Sequence, residues 1–585
     1  MEFGAIYHRA SDNYCYPLNE EELIINLKTG YDIERVYLYY GDPYSSGIMG
    51  GAEKWNGIRE EIYYKKRLKH HIWWTTTLRP RYKRCKYYFE LHTKTECVYY
   101  FEDGFYTKEE IEKQEKSPSY FTFPWMNPID INKTPDWVNE TIWYQIFPER
   151  YCNGNPAINP KGVKQWKYEK TGVYDYYGGD ISGIDSKLDY LHNLGITGIY
   201  FTPLFEADSN HKYNTKDYYK VDSHFGTNEE LKQLVKHAHQ KGIRVMFDGV
   251  FNHTGTDFFA WRDVMEKGEK SRYYNWYMLN QWPVDEETST EDGRYYTFAF
   301  ASHMPKLNTN CEEVIEYILN VVKYWIQQFD IDGLRLDVAN EVSHYFLKRL
   351  RKMVKKEKPD FYLLGEIWGD SISWLRGDEF DSVMNYPLAS GISDYWIYKN
   401  WKKEEFEHAI NRCFTMYMQQ TNDVLFNLLD SHDTNRLMDK VKEKDIFYQQ
   451  LAVLYTMPGS PCIYYGTEIA MEGAHDPDCR RCMPWEEIEK GTYDEEIEQI
   501  KTLIKLRKSH AALRSRNFHF PNTIDDDRVV EYIKLDGQQS VKVIMNCGEH
   551  AVLIKEEGKV VYNRNLVGNQ LKKNGIVIIE LKEKV

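Results

Sequence analysis

From Glu229 to Asp248 the chain reads Glu-Glu-Leu-Lys-Gln-Leu-Val-Lys-His-Ala-His-Gln-Lys-Gly-Ile-Arg-Val-Met-Phe-Asp. Glu229 to Gln240 reads as a helix, and Gly242 after Lys241 stops it, because glycine takes the left-handed conformation that ends a helix. Ile243 to Phe247 is then an apolar run of strand length that ends on a carboxylate, Asp248. The same order recurs along the chain. Ile184 to Leu194 is stopped by Gly195, and the run Ile196 to Tyr200 follows, ending in Phe201-Thr-Pro203. Val314, Ile315, Ile318, Val321, Val322, Trp325 and Ile326 fall at helical spacing, and Gly333 to Leu336 follows, ending at Asp337. Val342 to Val354 precedes Phe361 to Leu364, which leads to Glu366. Ile142 to Phe147, Ser382 to Asn385, Val424 to Leu429 and Pro461 to Tyr465 bring the apolar runs to eight. Helices alternating with apolar strands imply parallel β/α units, and eight of them imply an α/β fold closed as a (β/α)8 TIM barrel. Active sites of such barrels form at the C-terminal ends of the strands. Here those ends carry Asp248, Asp337, Glu366 and His432-Asp433. A helix N-cap explains any one acid after a strand, but not this set.

Outward from the barrel, assigned to residues 123–505, the pattern changes. Residues 1–122 hold short β-type runs, such as Leu23 to Leu27 and Val36 to Tyr40, broken by turn signals such as Gly41-Asp-Pro43. Tyr87 to Phe89 and Cys97 to Phe101 flank a polar turn, and an N-terminal β-sandwich is expected. A helix-like patch from Lys108 to Lys116, followed by Ser117-Pro118, reads as a connector. Residues 253–308 form a long stretch after the third strand, rich in rings such as Trp261, Trp276 and Trp282, and are expected as a small inserted subdomain. Residues 506–585 return to β patterning, with Val529 to Ile533, Val541 to Met545 and Gly575 to Leu581, and imply a C-terminal β-sandwich.

The 585 residues include 75 Lys and Arg against 89 Asp and Glu, a net charge of −14, which excludes the basic footprint that nucleic acid or an anionic membrane would need. Aromatic residues reach 15%, and flat amphipathic rings suit neutral, hydroxyl-rich ligands as well as cores. No apolar run reaches the length of a membrane span. Met1 to Ala10 lacks the basic and apolar regions of a signal peptide, so a cytoplasmic location is expected. Ten scattered cysteines fit free thiols in a reducing compartment, and the Cys479–Cys482 CxxC has no second pair to complete a zinc site.

The chemistry lies in Asp337, Glu366 and Asp433. Cleaving a glycosidic bond takes one carboxyl to protonate the leaving oxygen and another to attack the anomeric carbon or activate water. Retaining enzymes hold this pair roughly 5–5.5 Å apart, and neighbouring strands lie about 4.8 Å apart, so strands four and five can supply it directly. Arg335 precedes Asp337 by two and shares its face, where a cation is expected to keep Asp337 ionised. Glu366 lies among Leu364, Ile367 and Trp368 in sequence, an apolar setting expected to keep its proton on. His253 and His432 can donate hydrogen bonds to sugar hydroxyls.

Asp248-Gly-Val-Phe-Asn-His253, Gly333-Leu-Arg-Leu-Asp337, Gly365-Glu-Ile-Trp368 and Leu429-Asp-Ser-His-Asp433 together resemble the four core motifs of the α-amylase family of glycoside hydrolases. Met304-Pro-Lys-Leu-Asn308 is similar to a fifth motif of its neopullulanase, cyclomaltodextrinase and maltogenic amylase subgroup. The N-terminal Tyr7-His-Arg9 and Tyr40-Gly-Asp-Pro43 also resemble that subgroup. The resemblance implies that Asp337 is the nucleophile, Glu366 the general acid/base, and Asp433 a holder of sugar hydroxyls. It places Tyr213, within His211-Lys-Tyr213, on the sugar at the cleaved bond, with His253, Arg335 and His432 lining the same subsite. It assigns Asp476 and Arg480 to the non-reducing side, Asn340 and Glu341 to the acceptor side, and Trp368 to an acceptor platform or to packing. The subgroup's calcium loop reads here Asn153-Gly-Asn-Pro-Ala-Ile-Asn159, with Asp180 returning to it. Asn155 and Asn159 stand where Asp is usual, and Ile158 replaces an oxygen ligand. No cofactor is therefore required, and calcium is expected to bind this set weakly or not at all. Asn214 and Asp430 also depart from the family pattern, beside Tyr213 and Asp433 respectively. The implied activity is retaining hydrolysis of α-1,4 bonds in cyclodextrins, maltooligosaccharides or pullulan-type chains, with transfer to sugar acceptors as a side reaction. The implied assembly is a homodimer through the N-terminal domain, with no nucleic-acid or membrane partner. A 4-α-glucanotransferase is the alternative, and a non-catalytic carbohydrate-binding protein is disfavoured by the three intact carboxylates.

Overall fold

The eight apolar runs form the strands β1 (Trp143–Ile146), β2 (Gly198–Phe201), β3 (Arg244–Gly249), β4 (Gly333–Leu336), β5 (Tyr362–Gly365), β6 (Ser382–Val383), β7 (Phe426–Asn427) and β8 (Ser460–Tyr464). This computed structural model describes residues 1–45, 55, 57–113, 118–398, 400–537, 539–555 and 557–582. The strands run parallel in the order β6-β5-β4-β3-β2-β1-β8-β7, and a parallel bridge between Met384 and Phe426 joins the two ends. The sheet is thereby closed into a barrel. Trp143, Tyr200, Met246, Tyr362, Leu364 and Phe426 pack in one buried cluster, with the Trp143 and Tyr362 rings stacked at 6.0 Å. A side chain at Gly198 would put its Cβ 2.6 Å from the Trp143 ring, so that position of β2 is glycine because the tryptophan occupies the space. A barrel filled in this way has no through channel, and ligands reach only its ends.

The flanking helices follow the expected patterns. Asn228–Gln240 begins with a capping box between Thr227 and Glu230, and the chain turns at Gly242 with a φ of 72°. Glu312–Phe329 buries the seven apolar residues that fell at helical spacing, from Val314 to Ile326. No α-helix separates β5 from β6, only a 3-10 turn at Ile372–Trp374.

Backbone proximity divides the chain into two units. The first comprises residues 1–133 with 372–377 and 400–422. Within it, Cys15–Pro17, Leu23–Thr29, Ile72–Leu78 and Tyr64–Arg67 form a four-stranded sheet. A six-stranded sheet is built on Ile58–Ile62, Arg35–Gly41, Cys85–His92, Cys97–Phe101 and Gly104–Tyr106, with Phe121–Phe123 paired to Cys85–His92. Leu23, Leu27, Trp74, Val36, Phe89 and Leu91 from the two sheets share one core. The helix-like patch is a helix over Lys108–Lys113; its remainder, 114–116, lies outside the described residues.

The second unit holds the barrel, the insertion and the C-terminal strands. The insertion contains the helix Phe259–Lys267 and antiparallel bridges His253–Lys306, Tyr277–Leu307, Leu279–Tyr295 and Thr297–Pro305. The C-terminal region, expected as a sandwich, is one continuous six-stranded antiparallel sheet around Val529, Ile544, Leu571 and Val577. It is tied to the barrel helix Lys444–Thr456 by Gln449, whose amide donates to the carbonyls of Asn546 and Gly575. Among the described residues no helix is long and apolar enough to cross a membrane.

Candidate active site

Leu336 of β4 pairs with Gly365 of β5, so Asp337 and Glu366 are the next residues on adjacent strands. Adjacent backbones lie about 4.8 Å apart, close to the carboxyl separation of a retaining glycosidase. Arg335 binds both acids with one guanidinium. Its Nη1 donates to Asp337 Oδ1 at 2.9 Å and to both Asp248 oxygens at 2.8 Å, and its Nη2 lies 2.8 Å from Glu366 Oε2. Three strand ends, β3, β4 and β5, thus deliver their acids to a single buried cation.

This corrects the expected setting of Glu366. Leu364 turns into the barrel core, and Glu366 faces polar groups instead. Besides Arg335, the Trp368 indole donates to its Oε1 at 3.2 Å and the Val338 backbone N–H donates to its Oε2 at 3.0 Å. Val338 has a φ of 47°, which a β-branched residue adopts at a cost of about 1–2 kcal/mol. That strained turn aims its N–H at the acid, the kind of local strain that gathers at functional sites.

It also corrects the expected setting of Asp337. Arg335 is shared among three carboxylates rather than dedicated to one. Burial pushes the Asp337 carboxyl well above the ordinary range; Arg335 opposes this, while Glu366, Asp248 and Asp433 add to it. The four acids thus crowd one cation, and the charge of each of the other three opposes ionisation of Asp337. Double displacement needs one carboxyl ionised and one protonated, and this pair stands close enough for both roles.

Behind this pair stands a second layer. Asp248 accepts from Tyr200 at 2.7 Å and from Tyr213 at 3.0 Å. The Gln145 amide donates to His432 Nδ1 at 2.7 Å, which leaves the His432 proton on Nε2, 2.6 Å from the Tyr213 hydroxyl and 3.1 Å from Asp433 Oδ2. Burial holds His432 well below the usual histidine range, and drives His211 and His253 down to about 3, so all three are neutral hydrogen-bonding groups. Arg480 pairs with Asp476 at 2.9 Å and reaches Asp433 at 3.3 Å.

A cavity of about 580 Å³, within the usual range for small-ligand sites, opens over these groups. His211, Tyr213, His253, Asp337, Glu366, Trp368, Asp433, Asp476 and Arg480 all line it. Arg335 and His432 do not; they are fully buried and act on the lining from below. Glu341 does not line it either. Its neighbour Asn340 does, while the Glu341 carboxylate is held 3.0 Å from Lys306 Nζ, which also bonds the Glu341 carbonyl and Asn252. Sequence reading missed Phe298, Val338 and His475 on the wall, and Tyr386 beneath it. Phe298 stacks on His253 with centroids 5.3 Å apart, and Tyr386 stacks under Trp368 at 3.8 Å. Trp368 is 53% exposed, so one ring face packs on Tyr386 and the other is open for a sugar.

The description "Alpha amylase, catalytic domain" matches residues 145–516, and "Alpha amylase, N-terminal ig-like domain" matches residues 1–127. The chain belongs to the alpha-amylase family. It is 44% identical over 560 residues to a cyclomaltodextrinase of Geobacillus thermopakistaniensis, covering 95% of this chain and 92% of that one. It is 41% identical over 529 residues to an intracellular maltogenic amylase of Bacillus subtilis, covering 90% and 88%. A solved cyclomaltodextrinase structure matches with a TM-score of 0.88 at 36% identity, over 100% of this chain and 98% of that one. This alpha-amylase family member is accordingly a retaining glycoside hydrolase.

The family's calcium loop is filled differently in this alpha-amylase relative. Asp180 is the only carboxylate of the four expected ligands. Its Oδ2 accepts from the Gly154 and Asn155 backbone at 2.9 and 2.7 Å, and its Oδ1 accepts from Gly183 at 2.7 Å. Asn155 Oδ1 accepts from Ala157, and Asn153 donates to Asn159 Oδ1 at 3.1 Å. Only the buried Asn153 Oδ1 is left without a partner. Calcium takes six to eight oxygens, and this donor set does not fit it. The CxxC cysteines are buried and unpaired with each other, and Cys479 donates to the His432 carbonyl at 3.1 Å.

Proposed function

We propose that this enzyme cleaves α-1,4 bonds of cyclodextrins, maltooligosaccharides and pullulan-type chains, with Asp337 as nucleophile, Glu366 as general acid/base and Asp433 as a binder of sugar hydroxyls. The observation that carries this reading is the single Arg335 fork holding Asp337 and Glu366 side by side under an open cavity. The Asp337 carboxylate attacks C1 as Glu366 transfers its proton to the departing glycosidic oxygen. Glu366, now a carboxylate, takes a proton from water or from a sugar hydroxyl, whose oxygen breaks the ester to Asp337 and restores both acids. Trp368 offers a flat surface beside Glu366, on the side where the leaving group departs and the acceptor arrives.

The similarity to a cyclomaltodextrinase and a maltogenic amylase supports these substrates. Product profiles on β-cyclodextrin, pullulan and soluble starch, with and without added glucose, test the assignment. Cyclodextrin opened to maltose and glucose is the expected result. Transfer products outweighing hydrolysis without added acceptor would mean a glucanotransferase instead.

Acceptor choice depends on Glu341. With Lys306 replaced by Ala, the Glu341 carboxylate is free to take hydrogen bonds from an acceptor sugar. The ratio of transfer to hydrolysis is expected to rise about tenfold or more, on the order of one charge-assisted hydrogen bond. An unchanged ratio would place Glu341 outside acceptor binding.

The Asp180 hydrogen bonds do the work of a cation, so no calcium is needed. EDTA is expected to leave Tm within about 1 °C, and a fall of several degrees would show a bound ion that matters. A homodimer through the N-terminal unit fits the family resemblance, and a monomeric mass in solution contradicts it. The ten free thiols and the name of the intracellular B. subtilis relative support a cytoplasmic location.

A further inference from the structure

In the six-stranded N-terminal sheet, His92 stands directly across from Cys97 on the neighbouring strand, and Glu90 is two residues before His92 on the same face. His92 Nε2 lies 2.5 Å from Glu90 Oε1 and 3.7 Å from Cys97 Sγ. The three atoms all fall within 4.8 Å of one another, and among the described residues this is the one group of three or more such side chains that converges so closely. Cys97 is also the exposed member of the ten cysteines. We propose that Glu90, His92 and Cys97 form a binding site for a borderline-soft divalent metal ion, zinc foremost, with water in the fourth position.

Sulfur, imidazole nitrogen and carboxylate oxygen are the three donors zinc prefers, in a tetrahedral arrangement. Zinc–ligand bonds of about 2.0–2.3 Å put tetrahedral neighbours about 3.3–3.6 Å apart. The sulfur–nitrogen distance of 3.7 Å already lies just outside that spacing. The nitrogen–oxygen hydrogen bond has to open by about 1 Å as the ion replaces its proton.

Glu90 is held ready for this. Its side chain is 6% exposed, and Arg59 grips it twice, with Nε 3.1 Å from Oε2 and Nη2 2.7 Å from Oε1. Arg59 in turn lies over the Tyr37 ring at 3.5 Å. When Oε1 turns to a metal, Oε2 keeps its Arg59 bond, the outer hydrogen bond that orients ligating carboxylates. Burial works against the Glu90 charge, but Arg59 and His92 bring its carboxyl down to about 2. Burial raises the Cys97 thiol, so the thiol proton is present at neutral pH and is released when sulfur binds the ion. The charge of Arg59 opposes the ion, and the two anionic ligands offset it.

Titrating the full chain with Co(II) tests the site, because a cobalt–thiolate bond has its own near-ultraviolet charge-transfer absorption. One cobalt per chain is expected, with the band lost when one equivalent of Zn(II) is added. Cys97→Ser, at an exposed position, is expected to remove the band with circular dichroism unchanged. Glu90→Gln is expected to weaken binding about tenfold or more. No charge-transfer band at saturating cobalt, or an equal band in Cys97→Ser, would overturn the proposal.

Discussion

Asp337→Asn is expected to lower kcat on maltooligosaccharides by about 10⁴-fold or more, since the amide cannot supply the attacking carboxylate. The loss is chemical, not structural. Arg335 keeps Asp248 and Glu366 as partners, and Asn fills the same volume. Tm is expected to hold or to rise by about 2 °C. The sign follows from the raised Asp337 carboxyl. A raised aspartate costs stability when ionised, so removing its charge helps at high pH. That gain should be full above the raised pKa and vanish below the ordinary aspartate range, where wild type is neutral there too. Thermal melts of both proteins across pH check this. A variant that melts well below wild type at pH 7 would mean that Asp337 serves the fold rather than the reaction.

Glu366→Gln separates acid from nucleophile. On maltooligosaccharides kcat is expected to fall about 10³-fold, because an alcohol leaving group needs its proton. On α-maltosyl fluoride the leaving ion needs none, so the first step should stay within about tenfold of wild type. The second step still needs a base. The variant should therefore release about one fluoride per chain in a burst and then slow sharply. Equal losses on both substrates would remove Glu366 from the acid role.

Much of this molecule could be read from its sequence because parallel strands buried on both faces are uninterrupted apolar runs, and glycine marks where two of the helices stop. Gly195 and Gly242 both stand where expected, with φ of 98° and 72°. The strand-end acids followed from the same rhythm. What sequence hid was reach across strands. Leu364 and Ile367 stand near Glu366 in sequence, yet Leu364 lies deeper in the barrel core, and at the mouth Arg335 from β4 reaches the acid. Glu341 sits beside the cavity residue Asn340, but Lys306, distant in sequence, draws its carboxylate away. Phe298 and Tyr386 carry no motif; the insertion and the helix after β6 bring them to the wall and beneath Trp368. Asn155, Ile158 and Asn159 were legible as departures from the family loop, whereas the backbone N–H groups that bond Asp180 were not.

The most direct measurement uses the slowed variant as a trap. Glu366→Gln is mixed with α-maltosyl fluoride, quenched in acid during the slow phase, digested and analysed by mass spectrometry. The account predicts a maltosyl ester on the peptide containing Asp337, at close to one per chain. An ester on Asp433 or Asp248, or fluoride release with no covalent sugar on the protein, would contradict it.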